Sequence, residues 1–319
     1  MSRSVDVPAT HSVLSQVRPW KRKCAVDNLK ALIPFGSRLR RWKYRIMPYN
    51  TVTPRADWAL EEGLRQLEWI LEERKLEGAV ILEIGTGWEP IIPLLFAAAG
   101  AERVYMTDLN RLCSRSSVEG AIDALRRNKN KILSRLDVTD EALGRAVEWN
   151  LQLPIDEGFS RIGLTYMAPS DCAALALESQ SVDVICSRDV LEHIAPPTIA
   201  GVFAESHRLL RPGGVACHIV DPSDHWQHAD PTISRINFLQ FSDAMHAVVH
   251  FNRLNYHNRL RHSEYVEMLQ AAGYVVLREE REVDEASFVA AETLPLAPRF
   301  RKFSPRDLAT TGSFILARK

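Results

Sequence analysis

The stretch Val80-Ile-Leu-Glu-Ile-Gly-Thr-Gly-Trp-Glu-Pro90 indicates how the main domain of this chain begins. Val80 to Ile84 is a short apolar run, typical of a strand buried on both faces of a sheet. Gly85-Thr86-Gly87 follows as a tight turn, and Glu89 to Ala99 predicts a helix. Together they predict a cradle for a nucleotide cofactor, because small residues allow close approach to the backbone and a helix start offers free N–H groups.

An acidic residue after the next predicted strand supports a nucleotide site. Val104 to Thr107 predicts that strand, and Asp108 follows it, where ribose hydroxyls are held in a βαβ unit. Dinucleotides and S-adenosylmethionine both fit this pattern. The dinucleotide fingerprint needs a third glycine where Pro90 stands. Glu83 favours the second cofactor, because its carboxylate can accept hydrogen bonds from a methionine ammonium group.

The composition is that of an ordinary globular chain, but its first 50 residues are strongly basic. The 319 residues are 46% apolar and 25% charged, with a formal net charge of zero, which gives no indication of nucleic-acid binding. Residues 1–50 nevertheless carry eleven Lys and Arg against Asp6 and Asp27. Five scattered cysteines predict reduced thiols and a cytoplasmic location, and neither a secretory signal nor a membrane-spanning segment is expected.

The basic segment 21–48 has apolar residues interleaved with its charges, Trp42 and Tyr44 among them. Two interpretations fit. The preferred one is a helical cap packed on the domain with its charges solvated. The other is a surface for anionic lipid or for a phosphate-bearing substrate, which leaves peripheral membrane contact open.

Strands alternate with helices along the rest of the chain, which predicts a parallel sheet covered on both faces. Helices are expected over residues 56–76, 114–150, 197–210 and 263–272. The further strands are expected over Ile162–Tyr166, Val182–Ser187, Val215–Val220, Tyr274–Leu277 and Ser313–Ala317.

The loop after the third strand carries a candidate adenine contact. Asp171 could accept the hydrogen bond of the adenine amino group, and the backbone N–H of Cys172 could meet a ring nitrogen. The alternative is an ordinary turn in which the Asp171 side chain caps its own backbone.

The sequence resembles the class I S-adenosylmethionine-dependent methyltransferases. The resemblance rests on Leu82–Gly87, Asp108, Asp171-Cys172, Asp183–Ile194 and Arg211–Gly214, and it is strong over residues 78–220 and loose over 221–319. It implies a doubly wound α/β fold with a mostly parallel seven-stranded sheet whose last strand is antiparallel. It also implies S-adenosylmethionine as the cofactor. One departure is Glu89, which stands where the family often has a third glycine.

The resemblance also implies a set of cofactor contacts, which we number in this chain. They are Glu83, Gly85, Thr86, Gly87, Trp88, Asp108, Leu109, Asp171, Cys172, Ser187 and Arg188. A second likeness involves His225-Trp226, Ser234–Leu239 and Asn258–Arg261, which are similar to bacterial methyltransferases of surface-polysaccharide or specialised-metabolite pathways. It implies a small molecule or a glycan as the methyl acceptor, and we expect the methyl group to be transferred to oxygen.

These patterns predict the organisation of the chain. Residues 1–55 form a basic N-terminal extension and residues 56–319 a methyltransferase domain. Within that domain, residues 78–220 form the cofactor-binding core. Residues 221–262 form a substrate lid inserted after strand five, at the sheet edge where ligands of such folds bind.

Histidines are concentrated in the predicted lid, which holds six of the ten, at positions 225, 228, 246, 250, 257 and 262. Their pKa range suits a base working near neutral pH. We rank His225 first as the base, followed by His228 and His257, with simple packing as the alternative. His193 is expected to pack in the helix after strand four. Substrate contacts are expected from Asp189, Asp221, Asp224, Arg235 and Arg259.

Other functions are weighed against this one. A metal-assisted transfer through Asp189, Asp221 and Asp224 is disfavoured, since no closely spaced ligand set is present and no metal is expected. Nucleic-acid methylation is disfavoured because Ser187-Arg188-Asp189 stands where base methylases carry their motif. A nicotinamide-dependent oxidoreductase and a non-catalytic cofactor-binding adaptor stay open as alternatives. The acceptor and the oligomeric state are not predicted.

Overall fold

The computed structural model describes residues 18–32, 54–150, 152–252 and 256–319. Most of the basic N-terminal extension, including Trp42 and Tyr44, lies outside the described residues. The predictions made for that part of the chain therefore stay predictions.

Seven strands of the described chain form one sheet in the order β3-β2-β1-β4-β5-β7-β6. The strands are β1 Val80–Ile84, β2 Arg103–Thr107, β3 Leu164–Met167, β4 Val182–Arg188, β5 Leu210–Val220, β6 Val275–Val283 and β7 Thr310–Arg318. The first five are parallel, and β7 runs antiparallel to both β5 and β6. The predicted fold class is confirmed, including the reversed last strand.

Helices cover both faces of this sheet. They are α1 Pro19–Ala31, α2 Pro54–Glu73, α3 Ile91–Ala98, α4 Arg115–Arg127, α5 Lys129–Arg135, α6 Asp140–Ala146, α7 Ile155–Arg161, α8 Pro196–Leu209, α9 Asp243–Val249, α10 His262–Ala271, α11 Glu285–Thr293 and α12 Pro305–Leu308. Short 3₁₀ turns cover Leu191–His193, His225–His228, Asn237–Gln240 and Pro298–Phe300.

The pleat of the sheet divides the core into two layers. Ile81 belongs to the layer that holds α2 and α3, whereas the next residue, Leu82, belongs to the layer that holds α8 and α10. Successive side chains of a strand point to opposite faces, so every residue of β1 except Glu83 is apolar. Each fully buried Leu or Ile contributes about 1.5–3 kcal/mol to folding, and β1 is therefore fixed between two apolar layers.

Residues 221–262 follow β5 and connect it to α10 through two 3₁₀ turns and the short helix α9. Helix α1 packs on this segment. The rings of Trp20 and Phe241 lie 5.7 Å apart, and Cys24 Sγ donates to the carbonyl of Val249 at 3.3 Å. The described start of the N-terminal extension is thus a helix seated on the segment predicted to be the lid.

Several element bounds differ from the sequence prediction. Helix α3 begins at Ile91 and not at Glu89, because Pro90 takes the N-cap position. Strand β5 begins at Leu210, which pairs with Val182 before the register shifts. Strand β6 continues to Val283, well beyond the predicted end at Leu277.

Candidate active site

The glycine turn after β1 is shaped by two residues in the left-handed region, Gly85 at φ +75° and Gly87 at φ +69°. The N–H groups of Gly85 and Thr86 both donate to the carbonyl of Thr107 at 2.9 Å, which fastens the turn to the end of β2. A Cβ at Gly87 would meet nothing closer than the Gly85 carbonyl oxygen at 4.0 Å. The turn is therefore open on one side, as a cradle for a cofactor requires.

Glu83 lies buried directly before the turn. Its Oε2 accepts a hydrogen bond from Thr86 Oγ1 at 2.5 Å. Burial raises the pKa of Glu83 to about 7, with Asp108 adding to the rise and with Thr86 and Arg188 opposing it. The group can therefore change its charge near neutral pH in response to a cation.

Asp108 reaches the same turn from the end of β2. Its Oδ2 accepts from the backbone N–H of Gly87 at 3.1 Å, and its Oδ1 accepts from the N–H of Asn110 at 2.8 Å. Burial raises the pKa of Asp108, although both hydrogen bonds oppose the rise. The structure brings the carboxylates of Glu83 and Asp108 to one glycine turn.

The predicted adenine contacts adjoin the end of β2. Thr107 Oγ1 lies 3.1 Å from Cys172 Sγ, and the Ser170 N–H donates to the Asp108 carbonyl at 2.8 Å. Asp171 is exposed and accepts from the Ala173 N–H at 2.9 Å, so the turn named as the alternative is present. A role in adenine binding stays a prediction for Asp171 and Cys172.

Two apolar side chains border the turn and the Asp108 loop. Trp88 follows Gly87 and is half-buried. Leu109 follows Asp108 and is 69% exposed, which leaves its side chain open for a flat ring to pack against.

Ser187 and Arg188 are both predicted to contact the cofactor. They have partners within the protein, and a cofactor contact stays a prediction for both. Ser187 Oγ lies 2.8 Å from Nδ1 of His218, on the sheet face covered by α8. Arg188 donates to Glu62 of α2 at 3.1 Å and to Asp189 at 2.6 Å. The pleat of β4 sends these two side chains to opposite faces, where partners within the protein hold them.

The acceptor side begins where β5 ends. Asp221 follows β5, and its Oδ2 lies 3.2 Å from Nε2 of His225, the first residue of a 3₁₀ turn. Burial alone would raise the pKa of Asp221, but the hydrogen bond and charge of His225, together with Ser223, hold it at about 2. Asp221 is therefore an ionised partner for His225 at every physiological pH.

A histidine cluster forms around His225. Its ring centroid lies 4.1 Å from that of His257, 5.2 Å from His193 and 5.3 Å from His228. His257 is fully buried, and burial with the neighbouring charges lowers its pKa well below the ordinary value. The three predicted bases lie together, and the imidazole of His257 among them is neutral.

His193 is the member of this cluster that the sequence did not reveal. It ends the 3₁₀ turn after β4, and its Nδ1 lies 2.9 Å from the Tyr256 carbonyl. We expected it to pack in a helix after strand four, but helix α8 begins only at Pro196. The short turn at residues 191–193 instead directs this ring toward the segment that follows β5.

Two more imidazoles, those of His246 in helix α9 and of His250 directly after it, lie on the outer side of the cluster. The rings of His246 and His250 lie 4.4 Å apart, and that of His250 lies 6.4 Å from His257. Burial lowers the pKa of His246 to about 3. The His246 ring is therefore neutral at physiological pH.

Glu192 is a second residue that sequence reasoning missed. It is fully buried, and neither carboxyl oxygen has a hydrogen-bond partner among the described residues. Burial, with Asp189 and Asp221 adding to it, raises the pKa of Glu192 well above the ordinary value. Its Oε1 lies 3.9 Å from Nε2 of His193. The Val-Leu-Glu-His-Ile motif contained both residues, but only the fold puts them beside His225.

Comparison with known proteins identifies the chain. A family model described as a methyltransferase domain matches residues 57–279. The chain belongs to this methyltransferase family. It is an S-adenosylmethionine-dependent methyltransferase, its cofactor is S-adenosylmethionine, and the oxidoreductase alternative is wrong.

Solved structures similar to this methyltransferase share little sequence with it. An S-adenosylmethionine-dependent methyltransferase from Mesorhizobium loti is 16% identical, with 83% of this chain and 98% of that chain covered and a TM-score of 0.42. One from Methanosarcina mazei is 15% identical, with coverage of 79% and 96% and a TM-score of 0.45. The 1,6-didemethyltoxoflavin-N1-methyltransferase of Burkholderia thailandensis is 15% identical, with coverage of 99% and 93% and a TM-score of 0.44. No curated protein matches the chain by sequence.

Several residues predicted to bind the methyl acceptor have structural contacts. Asp224 accepts from the Trp226 N–H at 2.9 Å and so caps the 3₁₀ turn that holds His225. Arg259 is buried and donates to the carbonyls of Phe238 and Phe241 and to Asp243. These two side chains hold the described parts of the segment 221–262 in shape, and a substrate contact stays a prediction for both.

Asp189 and Arg235 have different surroundings. Asp189 adopts φ +51° directly after β4 and accepts from Arg188 at 2.6 Å. Arg235 is exposed, and its carbonyl accepts from the Asp224 N–H at 2.6 Å. A substrate contact stays a prediction for both.

Neither a metal site nor a membrane-spanning helix is found in the described part of the methyltransferase. No group of three or more His, Cys, Asp and Glu residues there has an arrangement suited to a metal ion. No helix among the described residues combines the length and apolarity needed to cross a bilayer.

Proposed function

We propose that this methyltransferase transfers a methyl group to a hydroxyl oxygen of a small molecule or glycan, with His225 as the general base. The observation that carries the proposal is the 3.2 Å contact between His225 Nε2 and the ionised Asp221. An oxygen acceptor must lose a proton as it attacks, and a positioned base contributes about 10²–10⁴-fold to such a step. A carboxylate beside an imidazole is the arrangement that orients this kind of base.

The cofactor end of the site supports this proposal through its charges. S-adenosylmethionine supplies an electrophilic methyl group on a sulfonium when it is bound. Glu83 would accept from the methionine ammonium, and Asp108 from the ribose hydroxyls. The open side of Gly87 leaves space for the cofactor between them. Leu109 and the loop at Asp171 would border the adenine.

Val190 joins the cofactor side to the acceptor side. A Cβ at Gly85 would lie 2.4 Å from Val190 Cγ2, so the glycine turn and the loop after β4 touch directly. That loop continues into His193, whose ring adjoins His225. Both sets of residues lie at the carboxyl edge of the sheet, next to the switch point between β1 and β4, where such sheets bind ligands.

The His225 hydrogen bond assigns its two ring nitrogens different tasks. When Nε2–H donates to Asp221, Nδ1 keeps a lone pair that can take the proton of an acceptor hydroxyl. The residues that position the acceptor have to hold its oxygen about 3 Å from the methyl carbon, which can be worth several kcal/mol. The neutral His257 beside His225 adds no charge that would oppose this proton transfer.

The polar lining of the acceptor side suits a substrate rich in hydroxyl groups. The half-buried carboxylates of Asp189 and Asp221 can accept hydrogen bonds there. The exposed Arg235 would suit a carboxylate or phosphate on a larger acceptor. We also expect the enzyme to act in the cytoplasm, which agrees with its five free cysteines.

The test is release of S-adenosylhomocysteine with pairs of acceptors that differ in one hydroxyl. Sugars and phenols would each be matched with the corresponding deoxy compound. We expect turnover with at least one hydroxylated member and none with its deoxy counterpart. The His225→Gln variant should lose about 10²-fold or more in kcat while its cofactor affinity, measured by calorimetry, is unchanged. Transfer to amines alone, or full activity of this variant, would overturn the proposal.

A further inference from the structure

We propose that helices α1 and α9 form a docking face for an anionic lipid bilayer. The structure describes ten exposed large apolar side chains, and six of them lie on or directly after these two short helices. We define the docking face by these six residues, Val26, Leu29, Leu32, Met245, Val248 and Phe251. Exposed apolar side chains gathered in this way mark an interaction surface.

Asn28 makes the two halves of the docking face continuous. Its Nδ2 donates to the Val248 carbonyl at 2.9 Å, and its Oδ1 accepts from the Asn252 N–H at 3.1 Å. Leu29 follows Asn28, and Phe251 precedes Asn252. The exposed apolar residues of both helices therefore surround one hydrogen-bonded junction.

The two faces of α1 differ sharply in what they contact. Trp20 and Cys24 are buried against Trp226 and Val249 of the segment 221–262. Val26 and Leu29 lie on the opposite side, 43% and 63% exposed. Packing on the protein therefore uses one apolar stripe of the helix and leaves a second stripe open.

The positive charge of α1 favours an anionic membrane as the partner of the docking face. Five basic residues with exposed side chains accompany α1, namely Arg18, Lys21, Arg22, Lys23 and Lys30. Asp27, the one acid in the helix sequence, is buried and bonded to Lys23 and Lys30. A basic helix with an exposed apolar stripe lies in the headgroup region of anionic membranes. A second copy of the chain would instead meet the same unbalanced cations.

The neighbouring sequence has the same character. Residues 33–53 carry five further Lys and Arg and no acid, with aromatic residues interleaved. On α9, Asp243 is exposed but is paired with Arg259 at 2.6 Å. Neither segment supplies the negative charge that would repel an anionic surface.

Helix α9 relates the docking face to the acceptor side. Its outer face carries Met245 and Val248, whereas His246 and His250 are buried on its inner face near His257. A helix with its side chains is about 10 Å thick. A bilayer on the docking face would thus lie about one helix diameter from the histidine cluster.

The experiment is flotation of the 319-residue protein with two kinds of vesicle. One is phosphatidylcholine alone, and the other contains about 30% phosphatidylglycerol, which gives the surface a negative potential. We expect binding to the anionic vesicles only, and its loss on raising the salt concentration. The Leu29→Asp/Val248→Asp and Lys21→Glu/Arg22→Glu variants should each bind about tenfold more weakly or worse. Val289→Asp and Lys75→Glu, at exposed positions elsewhere, are the matched controls and should bind like the parent.

Cofactor affinity, measured by calorimetry, should be the same in all five proteins and shows that each variant is folded. The proposal is overturned if the parent binds neither type of vesicle, or if the docking-face variants still bind. It is also overturned if the parent is a dimer on gel filtration and Leu29→Asp/Val248→Asp makes it monomeric. None of these outcomes depends on the identity of the methyl acceptor, so the proposed function is judged separately.

Discussion

Gly85 and Val190 pack so closely that a methyl group on the glycine would lie 2.4 Å from Val190 Cγ2. This contact joins the turn that borders the cofactor to the loop that leads to His193. The cofactor side and the acceptor side therefore share this packing contact, and a substitution there should disturb both.

Gly85→Ala should destabilise the protein by about 2 kcal/mol or more, since it adds strain at positive φ to the clash with Val190. Gly78→Ala is the matched control, because Gly78 has φ +71° with open space around it. We expect that control to cost about 1 kcal/mol. Urea unfolding would measure both variants. Equal destabilisation would show that the Val190 contact contributes nothing.

S-adenosylmethionine should bind more tightly as the pH rises to about 7, the raised pKa of Glu83, and then level off. Below that pH the free enzyme carries a neutral Glu83, which pairs poorly with an ammonium group. Glu83→Gln should bind about tenfold more weakly at pH 8 and show no such pH dependence. Calorimetry at pH 6, 7 and 8 checks this, and a parallel pH profile in the variant would remove Glu83 from the ammonium site.

Asp108→Asn should weaken cofactor binding by about 10–100-fold, the usual loss for a hydrogen bond to a charged group. The Asn side-chain oxygen can still accept from the Gly87 N–H, so the turn should keep its shape. Asp123→Asn, at an exposed position on α4, serves as the control. Unchanged affinity in Asp108→Asn would show that the ribose is held elsewhere.

Asp221→Asn should lower kcat by about 10²-fold or more with little change in KM, because the imidazole of His225 loses its ionised partner. Cofactor affinity should stay at the parent value. Asp224→Ala provides a contrast, since it removes the side-chain oxygen that caps the turn and should lower thermal stability instead. The assignment of Asp221 fails if the two variants lose activity equally.

Glu192→Gln should flatten the dependence of stability on pH. The folded-state pKa of Glu192 is raised, so its contribution to stability is full below the unfolded pKa near 4.5 and is lost as the pH rises toward the folded value. The parent should therefore lose more melting temperature than the variant between pH 5.5 and 8.5. Identical slopes would mean that another group carries the effect.

Local signals predicted β1, the glycine turn and Asp108 well. Val80 to Ile84 is apolar except for Glu83 because both faces of β1 are covered, and the turn needs glycine at φ +75° and φ +69°. The sequence predicts an end for strand β6 at Leu277 because the second half of the strand, Arg278 to Glu282, is charged. In the structure those charges are paired across the surface, with Glu280 and Glu282 meeting Arg65 of α2.

Long-range contacts explain what the sequence could not reveal. Whether Ser187 or Arg188 faces the cofactor depends on the pleat of β4, which no local pattern specifies. His193, His225 and His257 meet only because the 3₁₀ turn after β4 and the segment after β5 approach the same edge. The burial that isolates Glu192 likewise comes from residues far away in the chain.

Cys24 of helix α1 bonds to a carbonyl 225 positions later in the chain. A nascent polypeptide leaving the ribosome would therefore expose Trp20 and Cys24 until those 225 further residues had been made. An affinity tag or fusion partner attached upstream of α1 would also disturb the helix that packs on the segment carrying the histidine cluster. Attachment after Arg318, at the end of β7, would spare that contact.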